Sequence, residues 1–123
     1  MAFLEDDLQV QTREHDGVTI IDLKGDVTTF ADAKLNEAYR AATASGSQPL
    51  ILNFARSNYI NSAGIAILIR IVTDVNRTGQ KLAMVGLNDH FQKIFRMVGL
   101  AQYADLYEDE DQAIAALTKN DRA

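Results

Sequence analysis

The chain has 123 residues, 47% of them hydrophobic, which suits one domain with a single core and excludes a chain disordered throughout. It contains no cysteine, which excludes a disulfide scaffold, a thiolate nucleophile and a thiolate metal site, and fits a cytoplasmic setting. The net charge of −5, with no Lys/Arg cluster to offset it, disfavours nucleic acid and anionic lipid as ligands.

Met1 to Asp7 carries Glu5, Asp6 and Asp7 and no apolar stretch of the kind a signal peptide needs. The longest apolar run, Ile65 to Ile69, is cut by Arg70 and is too short to span a bilayer. Leu8 to Glu14 alternates, with Leu8, Val10 and Thr12 on one side, and predicts a half-buried strand. His15-Asp16-Gly17 then forms a hairpin turn into a second strand, Val18 to Lys24, paired antiparallel with the first.

From Phe30 to Ser45 the spacing turns helical, with Phe30, Ala33, Leu35, Ala38, Tyr39 and Ala42 as the apolar stripe. Thr28 or Thr29 is the expected cap and Gly46 the stop. Pro49 to Phe54 is a nearly continuous apolar run, the mark of a strand covered on both faces. Ser62 to Thr78 predicts a second helix ended by Gly79, and Lys81 to Gly86 another buried strand. Asn88 and Asp89 open a third helix through Phe91, Ile94, Phe95 and Val98, with Gly99 beyond its end. A short strand or loop follows at Leu106-Tyr107. The acidic run Glu108 to Asp111 then leads into a helix over Ala113 to Leu117, where its carboxylates suit the helix dipole without any metal. The alternation predicts a single α/β domain over residues 1–123, with a mixed sheet of four to five strands and about four helices. Residues 1–6 and 119–123 are expected to be flexible ends.

The informative stretch runs from Leu52 to Ile65, where a buried strand feeds a polar loop and the loop presents Ser62 at the start of an apolar helix. Free backbone N–H groups and the positive end of the helix dipole meet there, so a phosphate on Ser62 would be tolerated. On residue type alone Ser62 reads first as a plain N-cap. Helical periodicity groups Ile65, Leu68, Ile69, Val72 and Val75 as the core face and sends Ala63, Ala66, Ile67 and Ile71 to the other side, beside Arg70 and Asp74. Either another element of the domain covers that second face, or it meets a partner. On the partner reading, Ile67 is at least partly exposed.

The segment "INSAGI", with "LILNFARSNY" before it and "AILIRIVTDVNRTGQKLAMVGL" after it, resembles the STAS domain (sulfate transporter and anti-sigma factor antagonist). "LKGDVTTFADAKL" and "FQKIFRMVGL" extend the likeness over most of the chain. The resemblance implies an anti-sigma factor antagonist, a non-enzymatic module switched by reversible phosphorylation of Ser62. Its partners would be an anti-sigma factor or related serine kinase and a PP2C-type phosphatase. The implied partner surface is Asn61, Ala63, Gly64, Ala66, Ile67 and Arg70. Asn61 stands where the antagonists carry an acid, Ala63 where they carry a second hydroxyl, and Thr28 where they often carry Asp. The same resemblance admits a STAS subunit of a lipid-transport ABC system or a scaffold that does not switch.

No catalytic, cofactor or metal site emerges beside this one. Ser62 and His90 lack a nucleophile elbow, and His15 belongs to a turn. No Walker, dinucleotide or EF-hand pattern is present, and Asp105 to Asp111 lacks the liganding spacing and mid-loop glycine of a Ca²⁺ loop.

Overall fold

The computed structural model describes residues 8–44, 46 and 48–118, so the expected flexible ends lie outside the described residues. Strand β1 (Gln9–His15) turns into β2 (Val18–Lys24) through Asp16 and Gly17, whose φ values of 55° and 81° make the left-handed two-residue turn that the right-handed twist of a hairpin requires. A 3-10 turn (Thr29–Ala31) leads into helix α1 (Asp32–Ala44). Strand β3 (Leu50–Arg56), helix α2 (Ser62–Thr78), strand β4 (Leu82–Val85), helix α3 (Asp89–Met97), strand β5 (Asp105–Tyr107) and helix α4 (Glu110–Thr118) follow.

The five strands lie in the order β1-β2-β3-β4-β5, with β1 antiparallel to β2 and every later neighbour parallel. From β2 onward the sheet grows always in one direction. Right-handed crossovers therefore place α1, α2 and α3 on the same face. Strand alternation supplies that face with Ile21, Leu23, Leu50, Leu52, Phe54, Leu82 and Met84, which join Leu35, Leu68, Val72, Phe91 and Phe95 in the main core. Phe54 and Phe95 meet edge to face at 6.1 Å. Helix α4 follows the last strand and closes the opposite face, with Ala113, Ile114 and Leu117 on Val18, Ile20, Ile51, Ala83 and Val85.

The expected α/β class, mixed sheet and helix count agree with this arrangement. Two local expectations do not. Helical spacing puts Phe30 and Ala33 in the apolar stripe of the first helix, yet Phe30 is 72% exposed and Ala33 is exposed as well. Thr28 Oγ1 accepts from Phe30 N and starts a 3-10 turn, so that Ala31 joins the expected Leu35 and Ala42 on the inward side in place of Phe30. Thr12, expected with Leu8 and Val10 on the covered side of β1, is exposed in an open groove shared with Lys34, Glu37, Ala38 and Ala41 of α1.

Candidate functional site at the start of helix α2

Beyond its last pair, Lys24 with Arg56, the β2–β3 pairing continues as two linked loops. Gly25 N donates to Arg56 O, Val27 N to Tyr59 O at 2.9 Å, and Asn61 N to Val27 O at 3.1 Å. Val27 and Ile60 thus form an isolated parallel bridge and are both buried. This clamp sets where α2 begins.

Asn61, and not Ser62, caps the helix. Its backbone is extended, its Oδ1 accepts from Gly64 N at 2.9 Å, and its carbonyl accepts from Ile65 N. Ser62 is the first helical residue, exposed on the surface. The reading of Ser62 as a cap is therefore corrected, while its position at a helix start on the surface agrees with expectation. Gly64 is buried against Val27, so closely that a Cβ there would lie 2.1 Å from Val27 O. Only glycine lets the clamp press this closely on the helix.

The facing of α2 also departs from the sequence reading. Gly64, Ile67, Leu68, Ile71, Val72 and Val75 point into the core, with Ile67 only 6% exposed. The expectation of an accessible Ile67 is overturned, and both Ile67 and Gly64 leave the accessible surface. Ile69, expected in the core, is 38% exposed. Ser62, Ala66, Ile69 and Thr73 recur at i, i+4, i+7 and i+11 and form one exposed ridge, with Ala63 half-buried beside it. The polar residues Arg70, Thr73, Asn76 and Arg77 centre the outer arc near Thr73. That signal in the sequence could have placed Ala66 and Ile69 outside.

Two aromatics missed by the sequence reading lie on the flanking segments. Tyr59, three residues before Ser62, is 52% exposed, and the turn that carries exposed Phe30 packs against α2. The arginines nearest in sequence lie away from Ser62. Arg70 Nη2 pairs with Asp32 Oδ1 and reaches Asn36 Oδ1 on α1, tying the two helices together. Arg56 lines a recess on the α4 side of the sheet. An anion on Ser62 would thus meet chiefly the amide end and dipole of α2.

His90 lies in the first turn of α3 on the surface, with its ring 4.9 Å from that of Phe91. His15 ends β1, 3.5 Å from carboxylates of Asp16 and Glu110. Among the described residues no group of three or more His, Cys, Asp or Glu is gathered to hold a metal, and no helix is long and apolar enough to cross a membrane.

The family model of the STAS domain matches residues 9–113. The anti-sigma F factor antagonist of Paenibacillus polymyxa is 22% identical over 111 residues, covering 89% of this chain and 95% of its own. Among solved structures, an anti-sigma factor antagonist from Mycobacterium paratuberculosis superimposes with a TM-score of 0.78 at 22% identity, covering 91% of this chain and 95% of its own. The Bacillus cell fate determinant SpoIIAA in its phosphorylated form superimposes with a TM-score of 0.66 at 17% identity, covering 89% and 98% of the two chains.

Proposed function

The chain belongs to the STAS domain family, and from that premise we propose that it is an anti-sigma factor antagonist, a non-enzymatic binding module whose affinity is switched by phosphorylation of Ser62. The observation that carries the reading is the exposed hydroxyl of Ser62 at the first position of α2, beside the ridge of Ala66 and Ile69. Unmodified, that surface lets a partner close over it without stranding a charge. Phosphorylation adds about 1.5 to 2 negative charges to the contact. Within the free domain the amide end of α2 stabilises them, so the fold persists while binding is lost. The relatives' names supply the partner class, an anti-sigma factor. The modifying enzyme would be that partner or a related serine kinase, and a PP2C-type phosphatase would restore the binding form.

Asn61 fits this scheme on physical grounds. Its amide oxygen performs the capping that a carboxylate would perform at the same place. It does so without a negative charge next to the phosphate. The revised partner surface is Ser62, Ala63, Ala66 and Ile69, flanked by Tyr59 and Phe30, with Arg70 positioning α2 against α1.

Incubation with the cognate kinase and ATP, followed by intact mass and peptide mapping, tests the modification. The expected result is one phosphoryl group on Ser62 in the wild type and none on Ser62→Ala. Equal labelling of Ser62→Ala would place the switch elsewhere.

A further inference from the structure

Opposite the main core, α4 covers only the half of the sheet where Val18, Ile20, Ile51, Ala83 and Val85 lie. The remaining half, at the C-terminal ends of β2 and β3, is an open recess of about 560 Å³ beside β1. Its floor is polar and ordered. Arg13 Nε donates to Asp22 Oδ2 at 2.6 Å and its Nη1 to Glu110 Oε2 at 3.1 Å, so this cation is already neutralised. Asn53 Nδ2 donates to Asp22 Oδ1 at 3.0 Å, while Asn53 Oδ1 accepts from Ala55 N. Lys24 and Arg56 complete the lining.

The register of β2 and β3 shifts after Asp22 and brings Lys24 opposite Arg56. Neither has a carboxylate in ion-pair range among the described residues. Like charges on neighbouring strands repel, and this pair sits in a chain of net charge −5. An anion held between them would remove the repulsion. Ligands of open α/β sheets favour the crevice at the carboxyl ends of the strands, which is where the pair lies.

We propose that this recess binds a small multivalent oxyanion, phosphate- or carboxylate-bearing, between Lys24 and Arg56, with Asn53 and the glutamines of β1 as neutral partners around it. The site is distinct from the surface of Ser62: it lies on the other face of the sheet. Two short arms connect the places, from Lys24 to Val27 and from Arg56 to Ile60, and the Val27–Ile60 bridge joins them beneath α2.

The test is a titration of the full ¹⁵N-labelled chain, followed by amide shifts, with inorganic phosphate, citrate and sodium chloride in parallel at matched ionic strength. Saturable shifts centred on Lys24, Gly25, Asn53 and Arg56 are expected with phosphate or citrate and not with chloride. The tighter of the two identifies the head group. Lys24→Gln and Arg56→Gln should each weaken binding about tenfold, and the double variant should abolish saturation. Shifts that never saturate, that chloride reproduces, that survive in the double variant, or that centre on Ser62 to Gly64 would overturn the proposal.

Discussion

The two faces of the sheet are built from the same strands and differ in how completely they are covered. On one, three crossover helices enclose a continuous core from Leu8 to Ala104. On the other, the nine residues of α4 cover β4 but only the N-terminal parts of β2 and β3, and an Arg13–Asp22–Glu110 network takes over where hydrophobic contact stops. The closed face can hold a helix start to a fixed position, because Val27, Ile60 and Gly64 are packed backbone against backbone. The half-open face leaves polar side chains reachable. Precise presentation of Ser62 comes from the first, and room for a small ligand from the second.

The difference breaks most visibly at Ile67. Replacing it with Asp puts an unpaired carboxylate into the closed core at a cost of several kcal/mol, enough to unfold a small domain. Circular dichroism should show loss of the fold. Ile69→Asp, two residues away on the exposed ridge, should cost only about 1–2 kcal/mol, leave the domain folded and weaken partner binding. Equal stability of the two variants would show that Ile67 does not point into the core.

On the half-open face, Ile114→Ala should cost about 2–3 kcal/mol in urea unfolding, the lower part of the usual range, because this residue sits near the edge of the smaller cluster. Gly64→Ala should cost about 1–3 kcal/mol, since the new methyl meets the Val27 carbonyl and the clamp must shift. Its amide shifts should change along Gly25 to Thr28 as well as at the start of α2. A variant with unchanged shifts in that loop would show that the clamp does not position the helix.

Much of this is legible in the sequence, and the parts that are not have physical reasons. The bounds of α2, Ser62–Thr78, are legible from the polar loop that precedes Ser62 and from Gly79, while the cap itself, Asn61, is not. Its facing does not, because positions 63 and 65–69 are all apolar and two phases share Leu68, Val72 and Val75. Polar residues further along resolve the choice, as does Gly64, whose close neighbour is distant in sequence. Helical spacing misplaces Phe30 because a 3-10 turn precedes α1, and the i+3 spacing of that turn looks locally like a helix. The recess is invisible in the sequence: it depends on how far a short last helix extends across strands that begin far earlier in the chain.

The smallest effect concerns the charged network. The hydrogen bond from Arg13 holds the Glu110 carboxyl below its ordinary range, with burial opposing in part and the Arg13 charge and His15 adding to the depression. A carboxyl depressed in the folded state binds fewer protons there than in the unfolded chain. Its contribution is therefore full above the unfolded pKa and is lost as pH falls through the folded one. Half-exposed Arg13 limits that contribution to at most about 1 kcal/mol. Glu110→Gln should accordingly melt slightly lower than wild type at neutral pH, and the gap should close on acidification through the carboxylate range. A gap that widens on acidification would assign the network the opposite sign.

The central claim is that charge at Ser62 controls partner binding without disturbing the fold. Titration calorimetry of the cognate anti-sigma factor against wild type, Ser62→Ala, Ser62→Asp and enzymatically phosphorylated protein measures it directly. The expected result is tight binding by wild type and Ser62→Ala, weaker binding by Ser62→Asp and the weakest by the phosphorylated protein, all four melting cooperatively. Equal affinities across the four would contradict it and leave Ser62 as an ordinary first-turn serine.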